Sequence, residues 1–198
     1  MSGVRVERLT GARLQALLPD LARLRITVFR AFPYLYDGSL AYEETYLQTY
    51  VRAEDSVLVG AFDGDKVIGA STGLPLAHEP PSLTDTFTAH GFDVGQVFYF
   101  GESVLLPEYR GHGVGVAFFR EREAHARSLG RFRWASFCGV VRPADHPCRP
   151  VDYVPLDAFW RKRGFAPVAG MLGSLTWRDV DAALETAKPM QFWVKELT

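Results

Sequence analysis

The pattern of apolar and polar positions along the chain predicts an alternation of strands and helices. Apolar residues that alternate with polar ones, or that form short continuous runs, indicate strands, whereas apolar residues spaced by about one helical turn indicate helices. Strands are predicted over residues 4–9, 57–62, 66–74, 97–106, 134–141, 165–168, 173–177 and 190–197. Helices are predicted over residues 12–32, 40–51, 116–129 and 156–163, with a further short helix over 82–90 that Ser82 would cap. Pro19 is expected to break the first helix in two or to mark a helix start.

The order of these elements sets the fold class. They follow one another roughly as β-α-α-β-β-β-α-β-α-β-β. Asp63-Gly64-Asp65 is a hairpin turn signal, so the two strands beside it are antiparallel and a purely parallel sheet is excluded. No repeat or linker divides the chain. The sequence therefore predicts an α+β (mixed α/β) fold, with one domain over residues 1–198 and a central mixed, mostly antiparallel sheet flanked by helices.

Composition and charge narrow the function classes. Of the 198 residues, 47% are hydrophobic and 23% charged, as in an ordinary globular protein, and the net charge of −1 gives no case for binding nucleic acid or an acidic membrane. No apolar run is long enough for a transmembrane helix. The only cysteines, Cys138 and Cys148, do not form a C-x-x-C pair, and a cytoplasmic protein is expected.

The strongest local motif follows the strand predicted over residues 97–106. It reads V-L-L-P-E-Y-R-G-H-G-V-G from Val104 to Gly115, with three glycines at alternate positions after Arg110 and a helical stretch beyond them. The first N–H groups of a helix lack internal partners, and glycines let that backbone approach an anion closely. A P-loop is excluded because no lysine follows a glycine, and the G-x-G-x-G spacing does not fit a dinucleotide-binding motif.

The remaining pattern, Arg110-x-x-Gly113-x-Gly115, resembles the acetyl-CoA-binding motif of the GNAT superfamily of N-acetyltransferases. The segment D-A-F-W-R-K-R-G-F over residues 157–165 resembles that family's later helix, and the order of elements is similar to that fold. The resemblance covers residues 4–177, and closely only 97–165. It implies acetyl-CoA as co-substrate and direct transfer of its acetyl group to the primary amine of a small molecule. Two alternatives stay open: a non-catalytic acyl-CoA-binding or regulatory domain, and an acetyltransferase acting on protein lysine or N-terminal amines.

The resemblance also implies which residues contact the cofactor. The pyrophosphate would lie on the backbone N–H groups of the glycine turn, and the pantetheine chain would pair like an extra strand beside the strand that precedes it. The cofactor-binding residues expected on this basis are Val104, Leu105, Leu106, Arg110, Gly111, His112, Gly113, Val114, Gly115 and Trp160. Many members of the family form dimers, which leaves a homodimer open, but no interface is evident in the sequence.

Catalysis requires groups that move protons. An amine has a pKa near ~10 and must lose a proton before it attacks. Glu102 is the first candidate base because it lies inside an apolar strand, although a carboxylate there can also face solvent or pair with an arginine. Many family members carry a tyrosine four residues before the Gly of Gly-Phe as the general acid. This chain has Trp160 there, so Tyr153 is the expected acid and Tyr99 a second substitute.

Aromatic residues and one arginine are expected to bind the acceptor. Phe32, Tyr34 and Tyr36 form an aromatic loop that would favour an apolar or aromatic amine, and a role in the core stays open for them. Tyr99 is a further expected acceptor-binding residue. Arg149 lies in a long loop over residues 142–155 and would meet a carboxylate on the acceptor or on CoA. Asp145, His146 and Cys148 share this loop but are too close together in sequence to favour a metal site or cysteine catalysis, so no metal is expected. The sequence neither names the amine nor excludes longer acyl groups.

Overall fold

The strands and helices are described by a computed structural model for residues 3–198. The strands are β1 (Arg5–Leu9), β2 (Val57–Asp63), β3 (Lys66–Pro75), β4 (Val97–Tyr99), β5 (Ser103–Leu105), β6 (Trp134–Val140), β7 (Ala166–Arg178) and β8 (Glu185–Glu196). The helices are α1 (Gly11–Phe29), α2 (Leu40–Arg52), α3 (Pro81–Ala89), α4 (Val114–Ser128) and α5 (Asp157–Arg161). The predicted α+β class and mostly antiparallel sheet are confirmed.

The strands form one sheet in the order β1-β2-β3-β4-β6-β8-β7, with β5 paired to β3 beside this path. Within residues 3–198, β4 and β6 are the only parallel pair. Side chains alternate between the two faces along each strand. On β2, Val57 and Val59 pack in the cluster that includes α4, whereas Leu58 packs with α1. Helix α4 therefore covers one face of the sheet and α1 the other.

Helix α1 corrects the expectation at Pro19. The helix runs without interruption from Gly11 to Phe29 and contains Pro19 in its interior. Proline cannot donate the bond to the carbonyl four residues earlier, which weakens the helix locally. The apolar stripe that includes Leu14, Leu18 and Leu21 is buried against the sheet and holds the helix together across that gap.

Several predicted boundaries also change. Helix α3 follows Pro80 and has a proline at its first turn, so Ser82 lies inside the helix rather than capping it. The separate strands predicted over 165–168 and 173–177 are one strand, β7, whose register on β8 shifts between Pro167 and Leu172. The last strand, β8, begins at Glu185, earlier than residue 190.

The strand predicted over residues 97–106 is two strands, and the break between them shapes the site. Arg122 of α4 is buried beneath the break and donates to the carbonyl oxygens of Thr72 at 3.2 Å and Glu102 at 3.1 Å. Its other terminal nitrogen donates to Ser103 Oγ at 2.8 Å. The backbone at the break stays bonded to β3, because the Gly101 N–H donates to the Thr72 carbonyl and the Thr72 N–H donates to the Glu102 carbonyl. Pairing with β6 ends at Phe100, and Arg122 adds further donors to the same two carbonyls.

Candidate active site

The glycine turn presents a run of free backbone donors. Gly111 and Gly113 have φ of 81° and 83°, a left-handed conformation that a residue with a Cβ adopts only at a cost. Gly113 caps α4, and the first bond inside the helix runs from the Ala117 N–H to the Gly113 carbonyl. Within residues 3–198, no acceptor pairs with the N–H groups from Gly111 to Val116. This arrangement is suited to a phosphate or pyrophosphate.

The sheet opens beside this turn. β4 and β6 pair as far as Tyr99 and Ser136, and the Phe100 N–H makes a last bond of 2.7 Å to the Ser136 carbonyl. Beyond it, β5 pairs with β3 and β6 pairs with β8, so the facing edges of β5 and β6 are left unpaired. An extended chain that carries amide groups can hydrogen-bond along such an edge. We call the gap between β5 and β6 the wedge.

One cavity of about 2050 Å³ joins the turn, the wedge and the loops around residues 28–39 and 141–157. All the predicted catalytic and acceptor-binding residues line it, namely Glu102, Tyr153, Phe32, Tyr34, Tyr36, Tyr99 and Arg149. Of the predicted cofactor residues, Leu105, Arg110, Gly111, Gly113, Gly115 and Trp160 also line it. This volume is larger than a typical small-ligand pocket and has room for two substrates.

Four predicted cofactor residues do not line the cavity, and the prediction for them concerns their backbone groups. The side chains of Val104 and Val114 are buried in the core, and that of Leu106 packs against it. His112 is exposed on the turn. At Val104, Leu106 and Val114 only the backbone is available to the cofactor. Trp160 packs over Gly139 of β6, where a Cβ would lie 2.9 Å from its ring, so it borders the wedge.

A buried ionic cluster surrounds Glu102, which we call the Arg25 cluster (Arg25, Glu43, Tyr46 and Glu102). Arg25 of α1 forms an ion pair with Glu43 of α2 and another, of 2.5 Å, with Oε1 of Glu102. The Tyr46 hydroxyl donates to Oε2 of Glu102 at 3.0 Å. Each oxygen of the Glu102 carboxylate therefore already has a partner, and two carboxylates share one guanidinium.

A second carboxylate, Glu79, lies on the same side of the wedge. It follows the short turn at the end of β3, is partly buried and lines the cavity. Burial, together with the negative charge of Glu102, raises the pKa of Glu79 to about 7. Within residues 3–198, no hydrogen bond or ion pair engages its carboxylate. Sequence reasoning missed this residue because it lies in a proline-rich loop without periodicity.

Several tyrosine hydroxyls close this end of the cavity. The Tyr99 hydroxyl lies 3.0 Å from Cys138 Sγ, and the Tyr46 hydroxyl lies 2.8 Å from that of Tyr50. Burial raises the pKa of the buried hydroxyls at Tyr34, Tyr46, Tyr50 and Tyr99. Burial also raises the pKa of the Tyr153 hydroxyl, which makes it a weaker acid than an exposed tyrosine. Tyr153 stays a prediction as the general acid.

Arg149 borders the mouth of the cavity. Its guanidinium lies 4.8 Å from the ring centre of Tyr153 and 5.9 Å from that of Phe32, which also packs edge-on against Tyr153. No carboxylate in the described part of the chain pairs with Arg149, which leaves its charge available to an anionic group. His146 Nδ1 accepts the Cys148 N–H at 3.2 Å, and residues 3–198 contain no cluster of His, Cys, Asp and Glu arranged for a metal ion.

The Arg25 cluster was also missed, although a local signal existed. Arg25 follows Leu14, Leu18 and Leu21 on the apolar face of α1, and a charged residue on such a face needs a buried partner. Glu43 lies one turn before Leu47 on the buried face of α2. The pairing of these two charges depends on how α1 and α2 pack, which the sequence does not show.

Comparisons with known proteins agree with this geometry. The model of the acetyltransferase (GNAT) family matches residues 21–151. The fold is similar to a ribosomal-protein-alanine N-acetyltransferase from Brucella melitensis, with 16% identity, 98% of this chain and 99% of that chain covered, and a TM-score of 0.62. A search of curated proteins found no match.

Two further solved structures carry the cofactor. A Salmonella typhimurium protein described as an acetyltransferase, solved with its cofactor acetyl-CoA, shares 10% identity over 100% of this chain and 95% of that chain, with a TM-score of 0.62. An aminoglycoside 6'-N-acetyltransferase complexed with coenzyme A shares 14% identity over 98% of this chain and 97% of that chain, with a TM-score of 0.61. At these identities the structures show a shared fold.

The family match includes the glycine turn and both strands that border the wedge. It also extends through helix α4 and covers well over half of the chain. The family predicted from Arg110, Gly113 and Gly115 is confirmed: the chain belongs to the acetyltransferase (GNAT) family.

Proposed function

We propose that this protein is an N-acetyltransferase that transfers the acetyl group of acetyl-CoA directly to the primary amine of a small molecule. The observation that carries the proposal is the run of free N–H groups from Gly111 to Val116, which opens directly onto the wedge. An anion-binding turn beside an unpaired strand edge fits the pyrophosphate and the amide-bearing pantetheine chain of one ligand.

The residues divide the cavity between the two substrates. Gly111, Gly113 and Arg110 border the phosphate end, where backbone donors and a guanidinium supply positive charge. Leu105 and Trp160 border the wedge. When bound, acetyl-CoA supplies the acetyl group as an activated thioester. The unpaired backbone of β5 is available to polarise its carbonyl.

The acceptor end combines aromatic rings with carboxylates. Phe32, Tyr34 and Tyr36 provide apolar surface, and Glu79 and Glu102 are the two carboxylates that could accept a proton from an ammonium group. Arg149 at the mouth suits a carboxylate on the acceptor. A small amine is favoured over a protein because the Glu102 side chain is only 5% exposed and lies deep in the cavity.

The cysteines bear on where the protein is located. Cys138 and Cys148 are free thiols, which suits a reducing compartment, and we propose the cytoplasm. In the described residues, no helix has the length and apolar character of a membrane span. The homodimer stays a prediction, since nothing in the described chain tests it.

The proposal is tested by following CoA release with a thiol reagent. The purified protein is given acetyl-CoA and, one at a time, 2-phenylethylamine, phenylalanine, histamine, putrescine and a peptide with an N-terminal alanine. We expect saturable CoA release with a small amine and a product heavier by one acetyl group in mass spectrometry. Binding of acetyl-CoA without release above the rate of a no-enzyme control would instead indicate a regulatory acyl-CoA-binding domain. Release with the peptide alone would indicate a protein acetyltransferase.

A further inference from the structure

Both oxygens of the Glu102 carboxylate are already engaged by neighbouring side chains. Its Oε1 is paired with Arg25, and its Oε2 accepts from the Tyr46 hydroxyl. An incoming ammonium would have to compete with a guanidinium for this carboxylate.

Glu79 lacks those constraints. Its backbone N–H closes the preceding turn by bonding to the Leu76 carbonyl at 2.9 Å, which fixes the position of the residue. Its carboxylate has no partner among residues 3–198. Its two oxygens are accessible to solvent rather than buried. A partly buried, positioned and unpaired carboxylate in a cavity is the arrangement that a general base requires.

The groups that face Glu79 come from four other parts of the fold. They are Tyr46 and Tyr50 of α2, Tyr99 of β4, Cys138 of β6 and Glu102 between β4 and β5. Burial raises the pKa of the tyrosines well above the ordinary value and that of Cys138 to about 11, so these groups are neutral at pH 7. Among these groups, Glu102 carries the negative charge that, together with burial, raises the pKa of Glu79. The raised pKa makes Glu79 a better proton acceptor.

We propose that Glu79, rather than Glu102, takes the proton from the acceptor ammonium. The assignment rests on the proposed function. One ammonium proton passes to a Glu79 oxygen, and the nitrogen lone pair then forms a bond to the acetyl carbonyl carbon. The bond from that carbon to sulfur breaks, and the second proton of the nitrogen leaves with the sulfur as the CoA thiol. Glu79 afterwards returns its proton to water.

The raised pKa of Glu79 agrees with this role. A base with a pKa of about 7 is about half ionised at pH 7 and mostly ionised at pH 8, and it still accepts a proton readily. Because the base must be ionised, kcat/KM should fall as the pH drops through about 7. Replacing Glu102 by glutamine removes the neighbouring negative charge, so the pKa of Glu79 and the acid limb of the profile should move to lower pH.

The test compares two acceptors of nearly the same shape in Glu79→Gln at pH 8. The amine of 2-phenylethylamine is protonated at this pH, whereas the fluorines of 2,2-difluoro-2-phenylethylamine leave its amine largely neutral. We expect kcat/KM to fall by about 100-fold or more for the protonated amine, the size of a lost general base, and by under about tenfold for the neutral one. Glu44→Gln, which removes an exposed charge from α2 away from the cavity, is the matched control.

The outcomes separate this assignment from the proposed function. Equal losses for both amines, or no loss, would overturn the role of Glu79 while leaving the acetyltransferase intact. An absence of turnover by the wild type with every amine of the panel would overturn the proposed function, and the role of Glu79 with it. The pH profile supplies a second readout: an acid limb near 7 that moves down in Glu102→Gln supports the assignment. If that variant does not fold, the acid limb of the wild-type kcat/KM profile is the test. A wild-type limb at the ordinary glutamate pKa of about 4.3 contradicts the role of Glu79.

Discussion

Replacing Gly113 by alanine is the sharpest test of the anion-binding turn, because the effects of the substitution on stability and on cofactor binding can be measured separately. The residue has φ of 83°, and a Cβ placed there would meet nothing within 4 Å. Gly113→Ala therefore costs only the left-handed conformation, about 1–2 kcal/mol. For a chain of this size, that corresponds to a decrease in Tm of about 2–8 °C.

Gly91→Ala is the matched control. Gly91 has φ of 80° and also has open space around its Cβ position, but it follows α3 and does not line the cavity. Both variants should show the same decrease in Tm in thermal unfolding. In Gly113→Ala the added methyl group also stands at the free N–H groups, and losing one charge-assisted hydrogen bond is worth about 1.5–3 kcal/mol.

The binding assay is isothermal titration calorimetry with acetyl-CoA. The expected loss corresponds to about a 10- to 150-fold rise in Kd for Gly113→Ala, with Gly91→Ala unchanged from the wild type. Equal Kd values for the two variants, at equal loss of stability, would refute the assignment of the turn as the pyrophosphate site.

Three other substitutions test the acceptor end. Glu79→Gln should stabilise the protein at pH 8 by up to about 3 kcal/mol in urea unfolding but have no effect near about pH 4. The raised pKa means that the folded state favours the protonated form of Glu79. This contribution to stability is complete below about pH 4.5 and is lost as the pH rises through about 7. Arg25→Met should cost about 3–5 kcal/mol because it leaves two buried carboxylates unpaired, whereas exposed Arg23→Met should cost under about 1 kcal/mol; equal losses would contradict the buried pairing. Arg149→Gln should raise KM for phenylalanine about tenfold or more without a matching rise for 2-phenylethylamine, and exposed Arg120→Gln should change neither; a parallel rise for both amines would exclude carboxylate recognition.

The parts of the site that were predictable from sequence are those built by neighbouring residues. The turn from Arg110 to Gly115 needs only its own glycines and the helix that follows, so its spacing in the sequence was sufficient to locate it. The aromatic loop at Phe32 and the long loop at Arg149 also line the cavity, because each loop follows a helix or strand that ends beside it.

The features that escaped prediction depend on contacts between distant segments. The apolar run over residues 97–106 is interrupted by Gly101-Glu102-Ser103, where the strand breaks. The local sequence does not show that α4 brings Arg122 beneath this interruption. Glu79 becomes a candidate base only when β3, α2 and the β4–β5 connection meet around it. Pro19 stays inside a helix because tertiary packing outweighs the lost hydrogen bond.

A crystal structure of the protein with acetyl-CoA would test the central claim most directly. The account predicts that the pyrophosphate accepts hydrogen bonds from the N–H groups between Gly111 and Val116. It also predicts that the pantetheine chain lies in the wedge between β5 and β6, with the acetyl group facing Glu79. Acetyl-CoA bound elsewhere, or a wedge closed by direct pairing of β5 with β6, would contradict it.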